Sequence, residues 1–363
     1  MDVAIVGGGI CGLSLALNLK ERGVACRVYE RAPEIKELGV GITLLPHAMR
    51  EFSALGLGET LLKSGIENRD CAFFNRFGQL IYREDRGKFA GYPFPEVGIH
   101  RGRLHVVLYE AVQNRLGRDA VITDCECASV EQDETGATIH FKQTSTGHTR
   151  PSVRADVVIA CDGINSAVRK QFYPDDKVAF SGINTWRGVT RRKPILGGRT
   201  YVRVGSILTG KMVIYPIIDN VDDDGNQLIN WMAEIKRDTT EQNDWNKPGV
   251  TLAGDAAHPM YPRGSNGAAQ AAIDARTLAD LLKTGSDPRA ALKAYEAARV
   301  APAAKVVRTN REQPPDFINI KVEELVGDRP FDNLDKYITQ DELRALSEGY
   351  KRVAGFALAD VTG

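Results

Sequence analysis

The sequence predicts an α/β fold in which a mostly parallel sheet is combined with an inserted antiparallel β-sheet and followed by C-terminal helices. Three short apolar runs, each ending in a glycine-containing turn before a helical pattern, begin at Asp2, Asp156 and Val250. Such runs are typical of strands buried on both faces of a parallel sheet. Residues 182–235 contain four strand-like segments with no helical pattern between them, which favours an antiparallel sheet there.

The first run opens a dinucleotide-binding motif of the Rossmann-like type. Gly7, Gly9 and Gly12 form G-x-G-x-x-G between a strand and a helix, and the next strand ends in Glu30. Gly7 permits the tight turn, Gly9 lets a pyrophosphate approach the backbone, and Gly12 lets helix and strand pack closely. Because Glu30 accepts hydrogen bonds from a ribose diol and repels a 2′-phosphate, the site suits FAD or NAD better than NADP. A glycine-rich turn in an ordinary βαβ unit is the alternative.

Composition excludes several other classes of protein. The net charge is zero, which gives no support to nucleic acid or an anionic membrane as a partner. The first strand begins at residue 2, so we expect no signal peptide and a cytoplasmic location. The six cysteines form no CxxC and no metal spacing, so no metal is expected. They are interpreted as buried small residues, with a redox pair at Cys125 and Cys127 as the alternative.

The other two apolar runs each end in an acidic residue. Asp162-Gly163 follows the second run, where open α/β sheets place ligand-binding groups, although a plain turn is the alternative. Gly254-Asp255 follows the third run, and a Pro/Gly-rich loop then leads to a helix after Gly267. Asp255 suits a polyol such as a ribityl chain. The helix N-terminus would stabilise negative charge on the pyrimidine edge of a reduced flavin.

Other local signals are weaker. Gly41 lies in a glycine-containing segment whose backbone could approach a flat or charged group, and Arg101 begins a helix at a position where cations favour a bound anion. An ordinary loop and a solvent-exposed arginine are the alternatives. Pro302 should kink or end its helix near Ala301. Thr339 predicts a capping box at the start of the last helix.

Together the three motifs resemble the FAD-dependent aromatic hydroxylases, single-component flavoprotein monooxygenases typified by para-hydroxybenzoate hydroxylase. The resemblance extends from residue 2 to about residue 310, and segments 181–190 and 228–231 are most similar to the phenazine-modifying branch. It implies FAD-binding segments at 1–75, 99–175 and 247–300, substrate-domain strands at 76–98, a substrate-binding sheet at 176–246 and a C-terminal helical region at 301–363.

The resemblance also implies roles for individual residues. The AMP half of FAD would be held by the glycine motif, Glu30 and Arg31; Gly41 and Ile42 would pass the isoalloxazine, and Arg101 would contact the ribityl or phosphate region. Cys127 would touch adenine through its backbone, Asp162 would face the pyrophosphate and the transient nicotinamide site, and Asp255 would bind the ribityl chain. The full expected set is Gly7, Gly9, Cys11, Gly12, Glu30, Arg31, Gly41, Ile42, Arg101, Cys127, Asp162, Asp255, Pro262, Gly264, Asn266 and Gly267.

The implied reaction is hydroxylation of a small phenol-, pyridine- or phenazine-like ring by NAD(P)H and O2 through a flavin C4a-hydroperoxide. Substrate-side candidates are Arg187 as a carboxylate anchor, and Tyr215 and His258 as hydrogen-bond partners of a phenol. A surface ion pair, sheet packing and a loop-bonded histidine are the respective alternatives. The rival functions are a flavin halogenase, whose W-x-W-x-I-P signature is absent, a flavin reductase or dehydrogenase, and a non-catalytic FAD-binding regulator. NADH versus NADPH and the oligomeric state stay open, with a homodimer as one expectation.

One departure from the family pattern lies at the join of Asn246 and Lys247. The family usually has several strands and a helix between segments like Asp244–Asn246 and Lys247–Val250, which adjoin in this sequence. Either this member has a smaller substrate domain or a segment is absent from the sequence. We favour an absent segment, because the lost part should include pocket wall.

Overall fold

The computed structural model describes residues 1–176, 182–236, 246–247, 250–260, 264–284, 287–312, 316–354 and 357–358. The strands, in chain order, are β1 Asp2–Val6, β2 Ala25–Tyr29, β3 Gly41–Leu44, β4 Gly65–Glu67, β5 Asp70–Phe74, β6 Leu80–Asp85, β7 Val97–His100, β8 Val121–Ile122, β9 Glu126–Asp133, β10 Gly136–Lys142, β11 Thr149–Ala155, β12 Val157–Ala160, β13 Ile183–Arg192, β14 Thr200–Ser206, β15 Gly210–Ile218, β16 Gln227–Lys236, β17 Asn246–Lys247 and β18 Val250–Leu252. The α-helices are α1 Ile10–Glu21, α2 Pro46–Ala54, α3 Gly58–Ser64, α4 Arg101–Leu116, α5 Ala167–Phe172, α6 Gly267–Thr284, α7 Pro288–Glu312, α8 Phe317–Val326 and α9 Gln340–Val353.

The three apolar runs form the centre of one sheet, as predicted. Its order is β17-β18-β12-β1-β2-β8, and all neighbours are parallel except β17 and β18. Alternate residues of β1 enter two cores: Val3 and Ile5 pack with α1, α4 and α6, whereas Ala4 and Val6 pack with a three-stranded sheet of order β11-β10-β9. Burial on both faces explains why these strands are continuously apolar.

The inserted sheet is larger than the four strands that the sequence indicates between residues 182 and 235. Its order is β13-β16-β15-β14-β5-β6, antiparallel except for the parallel pair β14 and β5. Strand β5 therefore belongs with the inserted sheet, although the predicted boundary at 75/76 lies after it. A small sheet of order β3-β7-β4 packs against β15 and leads back to the parallel sheet.

Register places a row of side chains on one face of the inserted sheet. Arg203 pairs with Val213, Val213 with Met232, and Met232 with Arg187, so both arginines lie on the same face. Helices α8 and α9 cover part of this face with Ile318, Val322 and Leu343. The C-terminal helices α8 and α9 thus cover part of one face of the inserted sheet and bury its apolar side chains.

The predicted end of the helix near Ala301 is wrong, because α7 continues through Pro302 to Glu312, and the alternative of a kink at Pro302 stays a prediction. Ala303, Val306 and Val307 after the proline are buried, and their packing offsets the hydrogen bond that proline removes. The capping box at Thr339 is confirmed. In the described part of the chain, none of the helices combines the length and apolar character needed to cross a bilayer.

At the join of Asn246 and Lys247, the backbone forms β17 against β18. Residues 237–245 and 248–249 lie outside the described residues. The absent segment stays a prediction.

Candidate active site

The glycine motif makes the turn between β1 and α1. Gly7 has φ +102°, and a Cβ there would overlap the carbonyl oxygen of Cys161, which directly follows the neighbouring strand β12. A Cβ on Gly12 would overlap the Gly7 carbonyl oxygen, whereas one on Gly9 would meet nothing within 4 Å. No side chain caps α1, so the N–H groups of its first turn are left for a ligand.

Two side chains hold the glycine motif in place. Glu30 accepts hydrogen bonds from Gly8 N at 2.6 Å and Ala32 N at 2.7 Å, which fixes the carboxylate beside the loop. His105 on α4, which sequence reasoning missed, has Nε2 2.6 Å from the carbonyl oxygen of Gly8. Arg31 is exposed next to this loop.

Two acidic residues of the motifs differ in their surroundings. Asp162 Oδ2 accepts the N–H groups of Ala167 at 2.8 Å and Val168 at 3.4 Å, and Oδ1 is buried without a hydrogen-bond partner among the described residues. Burial raises the pKa of Asp162, against the hydrogen bonds that lower it. Asp255 is exposed to the cleft, yet the surrounding protein desolvates it enough to raise its pKa, and His258 and Arg101 oppose that shift.

Arg101 begins α4 with an exposed side chain, and no carboxylate of the described residues lies within ion-pair distance of it. Asp255 Oδ1 lies 3.9 Å from where a Cβ on Gly267 would be, at the first turn of α6. The cleft therefore brings a free guanidinium, a carboxylate and a helix N-terminus into one region.

The structure gives His258 a partner other than substrate. His258 is buried, with Nε2 2.6 Å from Asp274 Oδ2, and Asp274 also accepts from Arg299 Nε at 2.7 Å and Gly254 N at 2.9 Å. Burial alone would raise the pKa of Asp274, but the charges and hydrogen bonds of these partners lower it to about 2. This network, anchored on α6 through Asp274, fixes the turn before Asp255, and the phenol contact of His258 stays a prediction.

Arg187 and Tyr215 lie together where the inserted sheet meets β3. Arg187 Nη2 donates to the carbonyl oxygen of Gly41 at 3.1 Å, and the charge of Arg187 opposes the rise that burial causes in the pKa of Tyr215. Asn230 Oδ1 accepts from Gly41 N at 2.8 Å, and a Cβ on Gly41 would lie 2.6 Å from the Asn230 Cβ. Close backbone approach thus explains this glycine. Ile42, the next predicted flavin neighbour, is half-buried.

The segment 264–267 is held from several sides. Asn266 Nδ2 donates to the Gly264 carbonyl at 3.1 Å and to the Tyr350 hydroxyl at 3.0 Å. His47 is buried beside Asn266, and burial lowers its pKa to about 3, so the ring is neutral at pH 7. Pro262 lies outside the described residues.

Cys127 and the other cysteines are free thiols. Burial raises the pKa of Cys127 to about 12, which disfavours the thiolate that redox exchange with Cys125 would need. Cys11 packs between the glycine motif and Gly254. Cys127 therefore contributes to packing, and its backbone contact to adenine stays a prediction. Among the described residues, no cluster of His, Cys, Asp or Glu could hold a metal ion.

A cavity of about 170 Å³ lies between the inserted sheet, segment 264–265 and helix α9. Its polar lining includes Glu84, Arg86, Glu96, Arg203 and Lys351, which sequence reasoning missed. Arg86 pairs with Glu84 and Glu96, and Lys351 pairs with Glu84. Aromatic and apolar lining comes from Phe73, Tyr201, Phe317 and Tyr350.

Arg203 differs from the other charged residues of the cavity. It is 4% exposed, and among the described residues no carboxylate lies within ion-pair distance. Its guanidinium carbon lies 5.0 Å from the Tyr201 ring centroid and 5.8 Å from that of Phe73, and Nε is buried without a hydrogen bond. A buried cation of this kind requires an anion or water in the cavity.

The nucleotide cleft fits FAD. Gly9 leaves open space beside the helix N-terminus, Arg101 supplies an exposed cation, and Asp255 supplies an acceptor at the cleft. The fold and cleft together define a dinucleotide-binding protein with a separate aromatic-lined cavity.

Comparisons with known proteins identify the family. The family model for the FAD binding domain matches residues 1–193 and 219–310. The chain is 33% identical to a phenazine 1,6-dicarboxylic acid hydroxylase of Lysobacter antibioticus, over 86% of this chain and 89% of that protein. It is 30% identical to a 3-hydroxybenzoate 6-hydroxylase of Polaromonas naphthalenivorans, over 90% of each. The crystal structure of Klebsiella pneumoniae HpxO with FAD and uric acid has a TM-score of 0.75 at 21% identity, covering 100% of this chain and 97% of that one.

The chain therefore belongs to the FAD-binding-domain family, and within it to the FAD-dependent aromatic-ring monooxygenases. FAD is its cofactor, and its substrate is a small aromatic compound.

Proposed function

We propose that this enzyme uses NAD(P)H and O2 to hydroxylate a small hydroxylated or amino-substituted aromatic acid, whose carboxylate binds Arg203 in the cavity. The observation that supports this most directly is a buried guanidinium that lines a cavity without a carboxylate partner among the described residues. A carboxylate would receive charge-assisted hydrogen bonds there, and the ring would lie against Tyr201 and Phe73.

The names of the two relatives support an acidic substrate. Both phenazine 1,6-dicarboxylic acid and 3-hydroxybenzoate carry carboxylates on aromatic rings. The predicted anchor Arg187 donates to Gly41 instead, at the contact between the inserted sheet and β3. We therefore assign the substrate carboxylate to Arg203, and Arg187 to holding the segment beside the flavin.

Bound FAD would accept a hydride from NAD(P)H and activate O2, which is chemistry that side chains do not supply. The chain's own residues would bind and orient the cofactor and exclude water. The glycine motif, Glu30 and Arg101 would hold the dinucleotide, and Asp255 the ribityl chain. Gly41 and segment 264–267 would lie along the ring, and the aromatic and apolar lining of the cavity would help to exclude water from the reacting centre. The homodimer and the cytoplasmic location stay predictions from the sequence.

The test measures NADH and NADPH oxidation by the purified holoenzyme with hydroxybenzoates, aminobenzoates, pyridine carboxylates and phenazine carboxylates, each beside its decarboxylated counterpart. Product is analysed by mass spectrometry under ¹⁸O2. We expect faster oxidation with one acidic ring and a product that carries one ¹⁸O atom. Oxidation that no aromatic accelerates would identify a reductase or a non-catalytic FAD-binding protein instead. The intact mass tests whether a segment is absent at Asn246-Lys247.

The role of Arg203 is tested by Arg203→Gln. We expect the KM for the acidic substrate to rise about 100-fold, because a charge-assisted pair is lost, while the KM for the decarboxylated analogue changes less. Arg199→Gln is the matched control, since Arg199 is half exposed and pairs with Glu67 outside the cavity lining. Equal loss for the acidic and the neutral ligand would contradict the assignment.

A further inference from the structure

The C-terminal helix α9 contacts both the cavity and the segment 264–267. Ser347 Oγ and Lys351 Nζ bind Glu84 on β6 at 2.6 and 3.1 Å, which fixes the helix to the inserted sheet. Tyr350, between them on the same helix, lines the cavity. Tyr350 therefore lies at the contact between the cavity and a loop that is more than 80 residues away in the chain.

The Tyr350 hydroxyl completes a buried hydrogen-bond chain. It donates to Asn310 Oδ1 at 3.0 Å and accepts from Asn266 Nδ2 at 3.0 Å, and Asn266 in turn donates to the Gly264 carbonyl. Asn266 and Asn310 are fully buried, so no water replaces a lost partner without rearrangement. A Cβ on Gly264 would overlap the Tyr350 hydroxyl oxygen, which shows how closely the helix approaches the loop.

Burial raises the pKa of Tyr350, against the opposing influence of Arg203 and Asn266. The phenol is therefore protonated at neutral pH and can donate and accept at once, as both asparagines require. Phenylalanine at this position would keep the ring in the cavity wall and remove both hydrogen bonds. The substitution Tyr350→Phe therefore separates the contribution of the hydroxyl from that of the ring.

We propose that Tyr350 is a positioning residue that links the occupant of the cavity to the segment 264–267 beside the flavin. This deepens the proposed function and rests on it, since the flavin position and the aromatic ligand come from there. A ligand ring that packs on Tyr350 fixes the hydroxyl, and the hydroxyl fixes Asn266 and Gly264. Correct placement of the loop would keep O2 activation coupled to product formation rather than to release of peroxide.

The first test is amide hydrogen exchange of the peptide that contains residues 264–267, in wild type, Tyr350→Phe and Tyr337→Phe. Tyr337 is a matched control, because it precedes the same helix, is 39% exposed and does not line the cavity. We expect exchange in this peptide to accelerate about fivefold in Tyr350→Phe and to stay unchanged in the control, since one or two net hydrogen bonds are lost. This readout does not depend on hydroxylation. Unchanged exchange in Tyr350→Phe would overturn the proposal.

The second test uses the FAD-loaded enzyme. Binding of the aromatic acid should change the flavin absorption spectrum in wild type, and Tyr350→Phe should bind with a Kd within about threefold but lose most of that change. Peroxide released per NAD(P)H should rise several-fold. If Tyr350→Phe shows the same spectral change and the same peroxide release per NAD(P)H as the wild type, the proposed role of Tyr350 is overturned. Failure of the wild type itself to hydroxylate would instead refute the proposed function, so the two failures are distinguishable.

Where Tyr350→Phe does not fold, Asn310→Leu replaces it. Asn310→Leu removes the acceptor of the Tyr350 hydroxyl, and Asn319→Leu is the control. Asn319 is an equally buried asparagine whose Nδ2 binds the Phe74 carbonyl at 2.7 Å, away from the loop. We expect faster exchange at 264–267 only for Asn310→Leu, and equal behaviour of the two variants would contradict the proposal.

Discussion

The nucleotide cleft and the substrate cavity are built in opposite ways. The glycine motif, the turn after it and Glu30 come from one continuous stretch of 30 residues. The cavity takes Glu84 from β6, Arg203 from β14, Ser265 from the loop before α6 and Tyr350 from α9. Local geometry builds the glycine motif of the first site, to which packing adds Arg101 and Asp255, whereas the second site exists only after the inserted sheet, the loop and the C-terminal helix have packed together.

This difference explains why cofactor and substrate specificity can change independently. A phosphate-binding turn has little freedom, because its backbone must approach both the ligand and the next strand. A cavity between packed elements changes whenever one lining side chain changes. The contrast predicts that substitutions at the tightly packed glycines of the cleft affect FAD binding and folding together, whereas substitutions in the cavity affect substrate binding first.

The largest effect should come from Gly12→Ala in the cleft. A Cβ at Gly12 overlaps the Gly7 carbonyl, so α1 must move away from β1 at a cost of about 3 kcal/mol. The same displacement spoils the phosphate site, and we expect FAD affinity to fall about 100-fold or more. Thermal unfolding of the apoprotein and FAD titration measure the two effects.

Gly9→Ala sharpens this test. A Cβ at Gly9 meets nothing within 4 Å in the protein, so the apoprotein should unfold at the wild-type temperature. FAD affinity should nevertheless fall, because the methyl group occupies the space predicted for the pyrophosphate. Wild-type FAD affinity in Gly9→Ala would show that the cofactor does not approach this glycine.

A second large effect should be a loss of folding stability on acidification. It should come from His47, which lies beside Asn266 between the cavity and the nucleotide cleft. Burial lowers the pKa of His47 from 6.5 to about 3, so the unfolded chain takes up a proton that the folded chain refuses. Stability contributed by neutral His47 is fully present above about pH 6.5 and is lost as the pH falls toward 3. The slope approaches about 1.4 kcal/mol per pH unit within that window.

Denaturant unfolding between pH 4 and 7 measures this slope. His47→Gln should reduce it by up to one proton equivalent, whereas His148→Gln, at an exposed loop position, should leave it unchanged. Identical slopes in wild type and His47→Gln would mean that the imidazole takes up its proton in the folded protein.

The sequence predicts the parts of the molecule that local patterns determine, and it fails where contacts between distant segments decide the structure. The strands around Val3, Ile159 and Thr251, and the turns after them, follow from apolar runs and glycine spacing, and the fold class is confirmed. Strand β5 could not be assigned to the inserted sheet, because its pairing with β14 joins residues about 130 positions apart. Pro302 fails as a helix terminator because tertiary packing outweighs a local rule.

Arg203 left one signal that could have been read. In β14 the charged Arg203 lies between Val202 and Val204, and the strand is buried on both faces, since Val202 is 5% and Arg203 4% exposed. A charge at such a position needs a partner or a ligand. No sequence pattern pointed to Tyr350, because its hydrogen-bond partners Asn266 and Asn310 belong to segments that meet it only through long-range packing.

A smaller effect is expected where the cleft and the inserted sheet meet. In Gly41→Ala the new Cβ would lie 2.6 Å from the Asn230 Cβ, so β3 must shift from the sheet, at a cost of about 2 kcal/mol. Asn230→Gly in the same chain removes the overlapping atoms and should restore part of the stability. A double-mutant cycle by denaturant unfolding measures the coupling. Purely additive effects would show that Asn230 does not limit the approach of this strand.

The smallest effect should lie at the start of α9, in the cavity half alone. Thr339 Oγ1 accepts from Glu342 N at 3.3 Å, and Glu342 Oε2 accepts from Thr339 N at 2.8 Å. Thr339→Ala removes the first bond and should destabilise the protein by about 1 kcal/mol, whereas Thr339→Ser keeps it and should stay close to wild type. FAD titration of both variants then tests whether a change at the start of α9, on the cavity side, leaves FAD binding in the nucleotide cleft unaffected. Because the cap lies about three turns from Tyr350, FAD affinity should stay unchanged. A loss of affinity comparable to that of Gly9→Ala would instead make the whole of α9 part of the cofactor site.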